Sequence, residues 1–433
     1  MPRPRWISTL LALGLCAPPC GAQTDDAQAR SPVVESYTLE EALLLAKRNN
    51  APLEAAEKSI TIAEERVTEA MTRFVPEVGL QALATRYRAR YPFSLGPEFR
   101  SGLLFPSSQD NLFSGQAYLT MPVYEGRRTI NTLQLARRAL KQANSDYEAV
   151  KLDVVYETKK VFYRLILAQE SLAAVRELAD LARGRPRSRE ADPLRRLEAE
   201  ALSADLRSAE SDAGRELELA RLAFLRGLNR ELDSPVQLQG RLETSPVELD
   251  LNKALVWATE LRPELHSQIY KAQMDAISVN LELGRRYPTV VLGLDYEVVG
   301  QEFPLRQNNW DATVGVRLPF STDFWTRHNQ KVAEQRQGEV ILADLRDTVH
   351  LEVRSAYKDL LYWQGEWPRR EKEYRDLKDL LDAALRERSS GDTLRAAVRV
   401  LEARRRYLEA VAGHILARAR LERAVGKDLL APS

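Results

Sequence analysis

Residues 289–299 read Thr289-Val290-Val291-Leu292-Gly293-Leu294-Asp295-Tyr296-Glu297-Val298-Val299. Val290, Leu292, Leu294, Tyr296 and Val298 alternate with Val291, Gly293, Asp295, Glu297 and Val299. That is period two with one wholly apolar face, the pattern of a strand. A second such stretch follows, in which Trp310, Ala312, Val314, Val316, Leu318 and Phe320 alternate with Asp311, Thr313, Gly315 and Arg317. Each is about ten residues, the length of a tilted membrane-crossing strand. A hairpin packed on a soluble core would show the same alternation, so the remainder of the chain has to decide.

Working outward, the pattern occurs twice. Phe113, Gly115, Ala117, Leu119 and Met121 alternate with Ser114, Gln116, Tyr118 and Thr120. Met121-Pro122-Val123 aligns with Leu318-Pro319-Phe320, and Pro76-Glu-Val78-Gly-Leu80 with Pro288-Thr-Val290-Val-Leu292. Leu39-Glu-Glu-Ala42-Leu43 aligns with Leu251-Asn-Lys-Ala254-Leu255, and Leu222-Ala-Phe-Leu-Arg-Gly227 with Leu421-Glu-Arg-Ala-Val-Gly426. Ordered self-matches of this kind mark an internal duplication. We expect a first repeat over 23–230, with strands at about 77–90 and 112–124 and a helix tip at about 183–193. The second spans 231–433, with strands at about 289–300 and 309–321 and a tip at about 389–393.

Around the strands lie long helical patterns. Residues 39–73 read as one helix with Thr38 as N-cap and Glu41 at the capping-box position. Leu140, Ala143, Tyr147, Val150, Val154, Val161, Leu165, Ala168, Leu172, Val175, Ala179 and Ala182 follow a heptad seam, the signature of coiled-coil packing. Leu342, Leu345, Val349, Val353, Ala356, Leu360, Trp363 and Trp367 follow the same spacing. The returning segments do so as well, through Leu206, Ala213 and Phe224 and then Val398, Leu408 and Ile415. The helix from Arg127 to Arg183 would be roughly 85 Å long at about 1.5 Å per residue. The other faces are charged, so these helices belong in water.

At the N-terminus, Arg3 and Arg5 precede an apolar run from Ile7 to Ala17 and the small residues Gly21-Ala22. Residues 1–22 therefore read as a secretory signal peptide. The only two cysteines, Cys16 and Cys20, lie inside it, which excludes disulfides and thiolate chemistry from the exported chain. Leu15 and Pro19 before them disfavour a lipidated cysteine. Loss of Arg3 and Arg5 moves the net charge from +1 to −1, so no nucleic-acid partner is implied. His266, His328, His350 and His414 are scattered, and no Walker loop, G-x-S-x-G or Rossmann glycine pattern occurs. The reading is a chain that is not an enzyme and carries no cofactor or metal.

Two hairpins give four strands, too few to close a membrane barrel, whose smallest bacterial form has about eight. A membrane reading thus demands an oligomer. Three copies would give twelve strands and leave a wet lumen lined by Asp295, Glu297, Asp311 and Arg317. The alternative is an exported periplasmic coiled-coil adaptor or structural protein without a membrane barrel.

Leu39-Glu-Glu-Ala-Leu, Phe74-Val-Pro-Glu-Val, Met121-Pro-Val-Tyr-Glu-Gly126-Arg-Arg and Leu421-Glu-Arg-Ala-Val-Gly426, taken in order with the duplication, resemble the TolC family of outer-membrane efflux proteins. The resemblance implies a mainly α protein with membrane β. Its homotrimer would combine a long α-helical barrel with a shared 12-stranded transmembrane β-barrel. It implies the outer-membrane channel of a tripartite efflux or type I secretion system. This would be a passive duct opened at its periplasmic helix tips by a periplasmic adaptor and an inner-membrane transporter. In that family acidic residues beside the second tip form a constricting ring. The matching stretch is Val398-Arg399-Val400-Leu401-Glu402-Ala403, with Glu402 at the second acidic position and Arg399 where the first acid often sits. Gly184 and Gly391 suit the helix ends at the two tips, and Asp192 is the candidate acid of the first.

Overall fold

The computed structural model describes residues 35–87, 110–183, 193–300, 302–386 and 392–428. Residues 1–22, read above as a signal peptide, and the tip candidates Gly184, Asp192 and Gly391 lie outside them. The order of elements is β1 (Glu35–Tyr37), α1 (Leu39–Asn49), α2 (Ala51–Thr72), β2 (Glu77–Tyr87), β3 (Asp110–Tyr124), α3 (Arg128–Arg183) and α4 (Pro193–Gly227). Then come β4 (Val236–Leu238), α5 (Leu251–Leu261), α6 (Pro263–Gly284), β5 (Thr289–Gly300), β6 (Gln307–Arg317), α7 (Phe324–Arg386) and α8 (Asp392–Val425). Two short helices, a hairpin and a long helix pair thus occur twice in the same order.

The single helix expected over 39–73 is two helices. Thr38 does close the capping box with Glu41. The break comes at Asn50, whose extended backbone (φ −78°, ψ 116°) ends α1 while its side chain accepts a hydrogen bond from the Leu53 amide and starts α2. Arg262 breaks the second repeat in the same way, at φ −68° and ψ 120° directly before Pro263. A proline pushes its preceding residue out of the helical region, so this bend is built into the chain. Arg262 is buried there and pairs with Glu352 of α7 at 2.6 Å.

The four-stranded sheet is antiparallel throughout, in the order β2-β3-β5-β6. Its central pairing, β3 with β5, joins the two repeats. Strand β6 ends at Arg317, not near 321, because Pro319 has no amide to donate. Strand β3 passes its equivalent Pro122 by a register shift between Pro122 and Tyr124. It also begins at Asp110, two residues earlier than expected. Strand β2 is described to Tyr87, and the expected 88–90 lie outside the described residues. No described helix is long and apolar enough to cross a membrane.

The heptad seams are the contact lines. Val154, Leu165, Ala168, Leu172, Val175 and Ala179 are buried along α3, and Val349, Val353, Ala356 and Leu360 along α7. Thr158 fills the seven-residue gap between Val154 and Val161, and its hydroxyl is satisfied by the Val154 carbonyl at 2.7 Å. Trp363 is a packing residue, lying where a side chain at Gly413 would stand. Two matching cores sit at mid-length. In one, Ala42 and Ala46 of α1 meet Phe162 and Leu165 of α3 and Phe224 after the return of α4. In the other, Ala254 and Ala258 of α5 meet Ala356 and Leu360 of α7 and Leu421 of α8. Alanine on the short helices lets them lie close against the long ones.

The first core also holds Leu238 and Leu242 from the segment linking the repeats, whose strand β4 pairs in parallel with β1. Thr244 of this segment hydrogen-bonds His414, which is fully buried in α8. Burial, and secondarily the Arg418 guanidinium one turn on, hold the His414 pKa below its ordinary value. The folded state therefore resists protonation that the unfolded chain accepts. Stability is full above the unfolded value of about 6.5 and falls as pH drops below it. Thermal unfolding of the purified protein should show a midpoint that falls between pH 7.5 and pH 5.5, with a shallower fall in His414→Asn.

Candidate functional site

The register of the sheet assigns every strand residue to a face. One face is built from rows of apolar side chains: Leu80, Ala117, Tyr296 and Trp310 stand side by side, as do Val78, Leu119, Leu294 and Ala312. Leu80 is 85% exposed and Trp310 73%, and Phe320, next in the outward column beyond the strand, is 94% exposed. Nothing among the described residues covers this face. Exposed apolar surface of this extent marks contact with lipid or another protein.

The opposite face is polar. Gln81, Gln116, Glu297 and Asn309 form one row, and Gly79, Tyr118, Asp295 and Asp311 the next. The sequence-derived lumen residues Asp295, Glu297, Asp311 and Arg317 thus share one face by register. Gln116 Nε2 donates to Asp295 Oδ1 at 2.9 Å, and Thr313 Oγ1 to Asp311 Oδ2 at 3.0 Å. Gln81, Gln116 and Asn309 join the acids, a row readable only once the register is known. Gly79 is glycine for a steric reason. A Cβ there would stand 2.2 Å from the Tyr118 ring, which lies across the glycine and covers its backbone.

Near the second helix end, Arg399 and Glu402 are an i, i+3 ion pair at 3.0 Å on the surface of α8. Arg406 approaches the same carboxylate at 3.7 Å, so Glu402 lies between two arginines of its own helix. Sequence reasoning missed the links that leave this helix. Arg404 pairs with Glu177 of α3 at 2.6 Å, tying the two helix pairs together, and Arg406 pairs with Glu373 of α7 at 3.5 Å. The run Arg404-Arg405-Arg406 was the available signal. Among the described residues no group of three His, Cys, Asp or Glu side chains is placed to hold a metal ion.

The family model described as outer membrane efflux protein matches residues 42–188. No curated protein matches the sequence. Solved structures match over most of the chain. The CmeC outer membrane channel of Campylobacter jejuni superposes with a TM-score of 0.78 at 16% identity, covering 90% of this chain and 85% of that one. The outer membrane protein VceC of Vibrio cholerae gives 0.74 at 14% identity, covering 90% and 96%. The open state of the MtrE outer membrane channel of Neisseria gonorrhoeae gives 0.74 at 17% identity, covering 90% and 89%. The chain carries the fold of these channels.

The two faces make opposite predictions. A lysine near the bilayer midplane on a lipid-facing strand costs about 2–4 kcal/mol, whereas lumen positions tolerate charge. If the apolar face is the lipid-facing side of an outer-membrane oligomer, Val314→Lys on that face should sharply reduce the heat-labile oligomer recovered from detergent-extracted outer membranes. Thr313→Lys, one residue away on the polar face, should leave its yield within about twofold of wild type.

Proposed function

We propose that this chain is an outer membrane efflux protein and works as one third of a channel, a reading supported by the family model that matches residues 42–188 and by the fold. Three copies share one twelve-stranded barrel, and the duct runs from the periplasm to the outside. The observation that carries this reading is the pairing of β3 with β5 in a sheet whose edges, β2 and β6, have no further strand partner among the described residues. In lipid an unpaired backbone group costs several kcal/mol, so both edges must find partners. The duplication supplies the template. Strand β6 repeats β3 and strand β2 repeats β5, so β6 can pair with the next copy's β2 as β3 pairs with β5.

Transferring the observed register sets Leu318 opposite the next copy's Leu80, Val316 opposite its Ala82 and Thr313 opposite its Thr85. Apolar then meets apolar outside and polar meets polar inside, as the barrel requires. Eight strands would leave an interior filled with side chains, so three copies fit a conduit and two do not. A soluble periplasmic coiled coil would instead leave Leu80, Trp310 and Phe320 in water.

The α-helices extend the duct into the periplasm, where an adaptor and an inner-membrane transporter engage the tips. Glu402, with Arg399 and Arg406 beside it, contributes a mixed-charge ring near the second tip, and Asp192 contributes the acid of the first. The arginines remain when Glu402 is neutralised. In planar bilayers, Glu402→Gln combined with Asp192→Asn should raise single-channel conductance and shift selectivity towards anions. Unchanged conductance and selectivity would remove both residues from the gate.

The barrel seam is tested by cysteine pairs, since directly opposed strand residues lie within disulfide reach and diagonal ones do not. Val316→Cys with Ala82→Cys should cross-link three copies on oxidation. Val316→Cys with Ala84→Cys should not. Cross-linking of the shifted pair alone would refute the register, and a ladder that stops at two copies would refute the trimer.

A further inference from the structure

Within the chain the two repeats meet where α3 of the first packs along α8 of the second. Arg404 of α8 pairs with Glu177 of α3 at 2.6 Å, and Glu422 with Lys159 at 2.6 Å. Arg423 pairs with Asp153 and lies over the Tyr156 ring. Tyr163 and Val411 pack together in the first core.

The duplication repeats both sides of this contact. On α7, Val349, Leu360 and Trp367 take the places of Val154, Leu165 and Leu172 on α3. The same offset sets Lys372 in the place of Glu177 and Lys358 in that of Tyr163. On α4, Leu202, Ala209 and Ala213 take the places of Leu401, Leu408 and Ala412 on α8. The two helices also begin at equivalent residues, Pro193 and Asp392. That offset sets Asp205 in the place of Arg404 and Asp212 in that of Val411. The counterpart of the pair Glu177–Arg404 is therefore Lys372–Asp205, with the charges exchanged.

Lys358, Lys372, Asp205 and Asp212 are all exposed, and none has an ion-pair partner among the described residues. The bases stand on α7 and the acids on α4. Apolar surface accompanies them. Leu351, in the place of Tyr156, is 69% exposed, and Leu219, in the place of Arg418, is 54% exposed. Two strips of opposite charge, unmatched within the chain and built on the pattern of a contact that is made within it, fit a second copy.

We propose that α7 of each copy receives α4 of the next as α3 receives α8, with Lys372 paired to the next copy's Asp205 and Lys358 to its Asp212. The inference rests on the ring of copies proposed above. The exchange of sign also sorts the helices. Were α8 to dock on α7 in place of α4, Arg404 would face Lys372, and like charges set together act against the wrong partner. The junctions around the ring would then alternate, arginine with glutamate inside each chain and lysine with aspartate between chains.

The test uses the full-length chain in outer-membrane extracts. Lys372→Cys with Asp205→Cys, treated with a short bis-maleimide, should link the copies into a covalent trimer. Glu177→Cys with Arg404→Cys should link only within the chain and leave a single copy after denaturation. The wild-type chain, whose only cysteines are Cys16 and Cys20, is the blank. At low salt, where surface charges are least screened, Lys372→Asp should shorten the lifetime of the oligomer by about threefold or more, with one such pair at each junction. Asp205→Lys added to it should restore that lifetime. Both sites are exposed, so neither change disturbs the cores. Native mass spectrometry of the same extracts reports whether a trimer has formed. A native trimer in which the Lys372→Cys, Asp205→Cys chain gives no link between copies would overturn the proposed junction alone. So would a lifetime untouched by Lys372→Asp, or one that the reversed pair fails to restore. A wild-type chain that is monomeric in those spectra refutes the channel reading instead.

Discussion

The backbone of a sheet cannot end inside lipid. Each unpaired amide or carbonyl there costs several kcal/mol, and among the described residues the four-stranded sheet has two open edges, β2 and β6. Much else in the molecule answers that constraint. In the proposed channel the outward rows are apolar because they would meet hydrocarbon. The inward rows are polar because closure of that barrel would surround them with water. The duplication would let one solved junction, β3 with β5, serve as the pattern for the proposed junction between copies.

The helices solve a different problem, that of staying in register over great length. Alanines allow close approach along the seams, and charge pairs hold the two repeats together. Lys159 of α3 meets Glu422 of α8 at 2.6 Å, and Arg423 reaches Asp153. Glu422 is nearly buried and also pairs with Arg418 at 3.2 Å. Removing one partner of such a pair strands a charge away from water, which is strongly destabilising even where the intact pair contributes little. The exposed pairs nearer the tips, such as Arg399 with Glu402, contribute far less to stability.

Local periodicity explains what was legible in the sequence. The heptad seams and the strand alternation survive because each depends on neighbours a few residues away. The bends at Asn50 and Arg262 were missed because apolar periodicity carries across both, although Pro52 and Pro263 stood beside them. Strands β1 and β4 have three residues each, too few to show a pattern. Tyr118 over Gly79, and Arg404 with Glu177 across 227 positions, depend on register and helix rotation that no local signal encodes. Of the gate candidates, only Arg399 and Glu402 fall within the described residues, and their surface pairing was foreseeable from an i, i+3 spacing.

The first core is completed from the far end of the chain. Phe162, Leu165 and Phe224 belong to the first repeat, yet they are covered by Leu408, Val411, Ala412 and Ile415 of α8. A chain that emerges N-terminus first must hold these aromatic and aliphatic groups unsheltered until its last helix arrives. A product truncated before residue 408 would lack that cover, and proteases recognise such exposed segments. Assembly thereby becomes a check on length, since only a chain read to its end can bury its own beginning.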